Sequence, residues 1–155
     1  MTPDEQVRNL VMETASLLGL EEVSAFTDRP AWMLALGEHA RLELAYDALA
    51  GRIVCTSEIG TVAEKLRIEI YEILLHYNYA WSVTGGARMA LDSSLERVVV
   101  ILEIGIAGLT PQRLGDVLEN LRDTTVAWHK ILAAAHDFPH PLHDSPDSGV
   151  GSVAA

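Results

Sequence analysis

A chain of 155 residues is the size of one ordinary domain, and with 49% apolar residues it builds a core without disulfide staples. Eleven basic against 22 acidic residues give a formal net charge of −11, a surface that repels phosphate backbones and anionic lipid and so argues against nucleic-acid and membrane-surface roles. The single cysteine, Cys55, rules out an internal disulfide and fits a reducing cytosol, the opening Met-Thr-Pro-Asp-Glu carries no signal-peptide pattern, and no apolar run approaches the roughly 18–20 residues that cross a bilayer.

The first helix is expected from Pro3 to Leu18. Thr2 caps it, Pro3 suits the first helical position, Glu5 completes a capping box, and Gly19 stops it. Val7, Leu10, Val11, Thr14, Leu17 and Leu18 form one apolar stripe. Three short strands follow: the apolar run Ala31–Leu36, then the alternating stretches Arg41–Tyr46 and Arg52–Ile59, joined by turns at 37–39 and 47–51. Thr61 and Glu64 read as a second capping box, opening a helix to about Tyr79. Its second half, with Ile70, Tyr71, Ile73, Leu74, Leu75, Tyr77 and Tyr79, is apolar nearly all round. Gly85-Gly86 reopens the sheet. Ala87–Leu91 and Arg97–Ile104 make a hairpin across Asp92-Ser93-Ser94, and Thr110-Pro111 starts a last helix with Leu114, Val117, Leu118, Leu121, Trp128, Ile131 and Leu132 inward.

The plan is therefore α+β, in the order α-β-β-β-α-β-β-α, with a twisted antiparallel sheet packed against helices. Residues 1–136 form the domain. The Pro-, Gly-, Ser- and His-rich stretch 137–155 reads as a disordered tail.

Catalytic chemistry is not legible. There is no Walker loop and no Gly-x-Ser-x-Gly elbow, and Thr84-Gly85-Gly86 is too short to cradle phosphate. Cys55 lies within an apolar alternation and reads as an inert core thiol. His136, His140 and His143 with Asp137 and Asp144 are ligand types that zinc or nickel accepts. A Pro-broken segment after the last helix gives such ligands neither rigidity nor supporting hydrogen bonds, so no metal and no cofactor is expected. His39 and His76 have no evident partner, and His129 suits the end of a helix. No catalytic residue is assigned, and the chain is read as a binding protein rather than an enzyme.

The informative signal is apolar excess. The central helix and the strands Ala31–Leu36 and Val98–Leu102 carry more apolar surface than one small core needs. A symmetric dimer is the commonest way to cover it, with Ile70, Ile73, Leu74, Tyr77, Tyr79 and Trp81 as interface candidates.

The element order, the acidity and the absence of catalytic motifs occur together with one telling stretch, Ala87–Leu132. It holds the Met89-Ala90-Leu91-Asp92 strand, the Val98–Ile104 strand, and Leu109-Thr110-Pro111 opening a helix of Leu114, Leu118, Leu121 and Trp128. Over residues 3–133 this resembles the class I type III secretion chaperones, the Tir-chaperone-like family. The resemblance implies a cytoplasmic homodimer that binds the N-terminal chaperone-binding segment of a secreted effector in extended form. The dimer would keep that segment soluble and present it to the secretion ATPase, a separate protein. Leu10, Leu17, Trp32, Leu34, Leu36, Leu44 and Ile53 are the effector-contact candidates. The YbjN-like fold shares the plan, so a non-catalytic regulatory or adaptor dimer is the alternative.

Overall fold

The computed structural model describes residues 1–94 and 96–139. Helix α1 spans Pro3–Leu17; strands β1 to β4 span Val23–Ala25, Ala31–Ala35, Arg41–Asp47 and Arg52–Thr61. A 3-10 turn at Glu64–Leu66 leads into α2, Arg67–Tyr79. Strands β5, Arg88–Leu91, and β6, Arg97–Gly105, precede the long helix α3, Pro111–Asp137. The six strands form one antiparallel sheet in the order β1-β2-β3-β4-β6-β5.

The α+β plan is the expected one, with one strand more. The stretch Val23–Ala25 pairs with Ala25 opposite Trp32 and Val23 opposite Leu34. Three residues are too few to show an alternation, so only tertiary pairing reveals them. The first helix forms as its sequence dictates. The Glu5 backbone N–H donates to Thr2 Oγ1 at 3.2 Å, and the Thr2 N–H donates to Glu5 Oε2 at 2.7 Å. At its far end Gly19 takes φ +65°, which lets the Leu20 N–H reach the Ala15 carbonyl at 3.0 Å. The second capping box does not form. Thr61 ends β4, and α2 begins six residues later with no side-chain cap. Strand pairing between Thr61 and Arg97 has outcompeted the cap. Asp137, expected to open the tail, is the last residue of α3; residues 140–155, the rest of the expected tail, lie outside the described part of the chain.

One sheet face carries the core. Its central row runs Leu34, Leu42, Ser57, Val100, Met89 across five strands, every member buried. The neighbouring row is Trp32, Leu44, Cys55, Leu102. Ser57 is the polar exception in the central row, and its hydroxyl donates to the Arg41 carbonyl at 3.1 Å. Helix α3 packs on β4, α1 packs on α3, and α2 packs beside β5. They bring Val7, Val11 and Ala15, then Leu114, Leu118, Leu121 and Leu132, then Ile70 and Leu74 to the same core. This side of the sheet is closed by the protomer's own helices.

Leu42 is fully buried at the middle of that row. Replacing it with alanine leaves a void among residues that cannot collapse onto it. Urea denaturation of Leu42→Ala should show a loss of about 2–5 kcal/mol. A shift below about 1 kcal/mol would contradict the closed core described here.

Candidate functional site

The apolar residues singled out in the sequence divide sharply. Trp32, Leu34, Leu36, Leu44 and Ile53, expected to contact an effector, are between 0% and 4% exposed in a single protomer. They are core, not contact surface, because each points to the helix-covered face of the sheet. Leu10 is half-buried against the core, and Leu17 is 58% exposed. Among the dimer candidates, Ile70 and Leu74 are core as well. Tyr77 turns inward, its ring meeting Trp128 of α3 edge to face at 5.5 Å. Its burial pushes the phenol above its ordinary pKa, while a hydrogen bond with Thr124 pulls the other way.

What remains outside on α2 is coherent. Ile68, Leu75 and Tyr79 recur at helical spacing opposite the stripe of Ile70, Leu74 and Tyr77. They are 78%, 68% and 88% exposed; Ile73 on the flank of the helix and Trp81 and Val83 beyond its end are also exposed. A helix with two apolar stripes needs two cores, and this protomer supplies one. The second stripe was present in the periodicity, hidden because the helix read as apolar everywhere. The strand Ala31–Leu36, expected to need outside cover, is largely enclosed by its own chain.

A second surface lies where α1 meets β1. The Phe26 N–H donates to the Ala31 carbonyl and the Ala35 N–H reaches the Glu22 carbonyl. Residues 22 and 26, and by alternation Ser24, therefore face β2. Val23 and Ala25 turn their backbone N–H and C=O to the open side of the sheet. Among the described residues no hydrogen bond reaches them. Ala25 also borders a groove of about 360 Å³ lined by Asp4, Arg8, Met12, Phe26 and Arg29. The Arg29 guanidinium lies 4.4 Å from the centre of the Phe26 ring, which fixes both side chains at the rim. Sequence reasoning missed this site because its parts are a three-residue strand and a loop.

The groups considered for chemistry have structural roles. Cys55 is fully buried and burial pushes its thiol up to about 12, far from the thiolate a nucleophile needs. His129 donates from Nδ1 to the Ile59 carbonyl at 2.8 Å, at the bulge in β4 between Glu58 and Gly60, and stacks on His39 with ring centres 5.3 Å apart. His136 Nε2 lies 3.0 Å from both the hydroxyl and the carbonyl of Thr61. His76 lies 4.0 Å from Glu72. Among the described residues no cluster of three metal-ligating side chains occurs, and His140, His143 and Asp144 lie outside them. No helix among the described residues is long and apolar enough to cross a membrane.

Comparison with known proteins gives this arrangement a context. The model of the Tir chaperone protein (CesT) family matches residues 9–129. Among curated proteins, none matches the chain. Among solved structures, a chain of the ExsC–ExsE complex superposes with a TM-score of 0.72 at 22% identity, covering 85% of this chain and 97% of that one. The Yersinia pestis type III secretion chaperone SycH, bound to a fragment of YscM2, gives 0.61 at 22% identity, covering 77% and 97%. YbjN from E. coli gives 0.57 at 18% identity, covering 84% and 95%. These structural likenesses concern the fold.

The sheet face opposite the core is held by ion pairs instead. Glu103 accepts from Arg88 at 2.6 Å and from Arg52 at 2.8 Å; Arg52 also meets Asp47 at 3.1 Å, and Arg29 meets Glu43 at 2.8 Å. The Arg88 hydrogen bond, then the Arg88 and Arg52 charges, hold the Glu103 carboxyl below its ordinary pKa, against desolvation and a smaller opposing effect from Asp47. A carboxylate depressed in the folded state adds stability above its unfolded pKa and loses it as pH falls through the folded value. Glu103→Gln should therefore flatten the fall in stability below the ordinary carboxylate range, measured by urea midpoints along a pH series. An unchanged acid slope would show that Glu103 is not a coupling group.

Proposed function

Because the chain belongs to the Tir chaperone protein (CesT) family, we propose that it is a type III secretion chaperone, one that binds the N-terminal segment of a cognate effector in extended form. The observation that carries this reading is apolar surface left over on a body whose core is already closed: the outer stripe of α2 and the α1–β1 groove with its open strand edge. Residues 1–136 act as the chaperone domain, non-catalytic and cytoplasmic in a bacterium. Its partners are a second copy of itself, the effector segment and, through that complex, the secretion ATPase.

The two surfaces divide the work. The outer stripe of α2 pairs with its symmetry mate, so Ile68, Leu75 and Tyr79 leave water on both protomers at once. An effector segment adds a strand at Val23–Ala25, giving main-chain hydrogen bonds that do not depend on its sequence. Its apolar side chains seat against Met12 and Phe26, and Asp4, Arg8 and Arg29 at the rim select for polar neighbours. Ordering a disordered segment costs on the order of 2–5 kcal/mol. Each buried anchor returns roughly 1.5–3 kcal/mol, so a dimer presenting two grooves to one continuous segment offsets the cost where a single groove leaves little surplus. No bond is made or broken in this task.

Two experiments test the reading. Leu75→Glu places a charge in the α2 contact while leaving the core untouched; light scattering should give half the wild-type mass with unchanged circular dichroism. A wild-type chain that is already monomeric ends the dimer proposal. Ala25→Pro removes an outward backbone donor without removing a bond to β2. Co-expression with effectors encoded nearby should show capture reduced at least several-fold, and undiminished capture would rule out strand addition at β1.

A further inference from the structure

The two edges of the sheet are not equivalent. At the β5 edge the Asp92 N–H donates to the Arg97 carbonyl at 3.0 Å, so residue 92 faces β6. By alternation Arg88 and Ala90 face β6 as well, and Ala87, Met89 and Leu91 present their backbone groups outward. Two of these three positions are already taken, and each is taken twice. The Asn78 side chain, reaching across from α2, accepts the Met89 N–H at its Oδ1 at 2.7 Å and donates from Nδ2 to the Met89 carbonyl at 3.0 Å. Thr84, in the turn before the strand, treats Ala87 the same way. The Ala87 N–H donates to the Thr84 carbonyl at 3.3 Å, and the Thr84 hydroxyl donates to the Ala87 carbonyl at 3.1 Å.

A primary amide has one acceptor and a donor on the same planar end, the pair that a neighbouring strand residue would offer. Asn78 thus stands in for one residue of an absent strand. We infer that Asn78, seconded by Thr84, closes the β5 edge to strand addition and so leaves β1 as the edge at which an extended partner pairs. Among the described residues only Leu91 stays open on β5, and a single position does not fix the register of an added strand. The need is physical. The β5 edge lies beside an apolar groove of about 280 Å³ between α2 and the strand, lined by Tyr71, Leu74, Leu75, Met89 and Leu91. An unpaired edge next to apolar surface is the arrangement that draws other chains into edge-to-edge pairing. Closure of β5 is a property of this chain alone; the assignment of partner strands to β1 rests on the chaperone reading.

The test compares wild type, Asn78→Ala and Asn78→Ala/Thr84→Val as full chains. Amide hydrogen exchange at Met89 should accelerate about tenfold on loss of the Asn78 side chain. Light scattering should then reveal species larger than the wild-type assembly that grow with protein concentration, most strongly in the double variant. Adding Leu91→Pro, which removes the next outward donor, should suppress them. An unchanged Met89 exchange rate overturns the inference, and so do large species indifferent to the proline, which would trace to a loosened α2 instead. The outcome is separable from the cargo reading: a chain that captures no effector, yet opens at β5 in Asn78→Ala, loses the role of β1 and keeps the closure of β5.

Discussion

The molecule depends on the closure of one sheet face by the chain's own helices. Leu34, Leu42, Val100 and Met89 form an apolar row interrupted by Ser57, and α1 and α3 cover it. Because those two helices finish that task, α2 is free to stand beside β5 and to place only Ile70, Leu74 and Tyr77 on the core. Everything outward-looking follows from that economy. Among the described residues, none covers the other stripe of α2. The groove beside Phe26 exists because α1 leans on α3 rather than on the short strand β1.

The opposite sheet face solves a different problem. Its charged side chains pair across strands, with Glu103 shared between Arg52 and Arg88. Exposed pairs of this kind add little stability each. Register is fixed by the core face instead: a strand that slipped by one residue would turn its apolar set to solvent.

Much of this was legible in the sequence, and the reasons for the rest are specific. Alternation located β3 and β4, and Thr-Pro located the starts of α1 and α3, because those signals are local. The Val23–Ala25 strand was invisible because three residues carry no period. The Thr61 cap failed because the same residue was needed by the β4–β6 ladder. The assignment of Trp32, Leu34, Leu36, Leu44 and Ile53 to a contact surface failed for another reason. Alternation states that such residues share a face, and says nothing of whether that face meets a helix or a partner. The reverse held for α2, where all-round apolarity did signal an uncovered surface, though only half its members lie on it.

The placement of Cys55 reaches beyond the fold. The only sulfhydryl of the chain sits fully enclosed in the second core row, opposite Leu44 and Leu102. Oxidants, alkylating reagents and mixed-disulfide exchange do not reach it while the chain is folded. The protein therefore keeps one form across changes of redox poise. Any thiol-dependent behaviour seen in an assembly containing it originates with the other component.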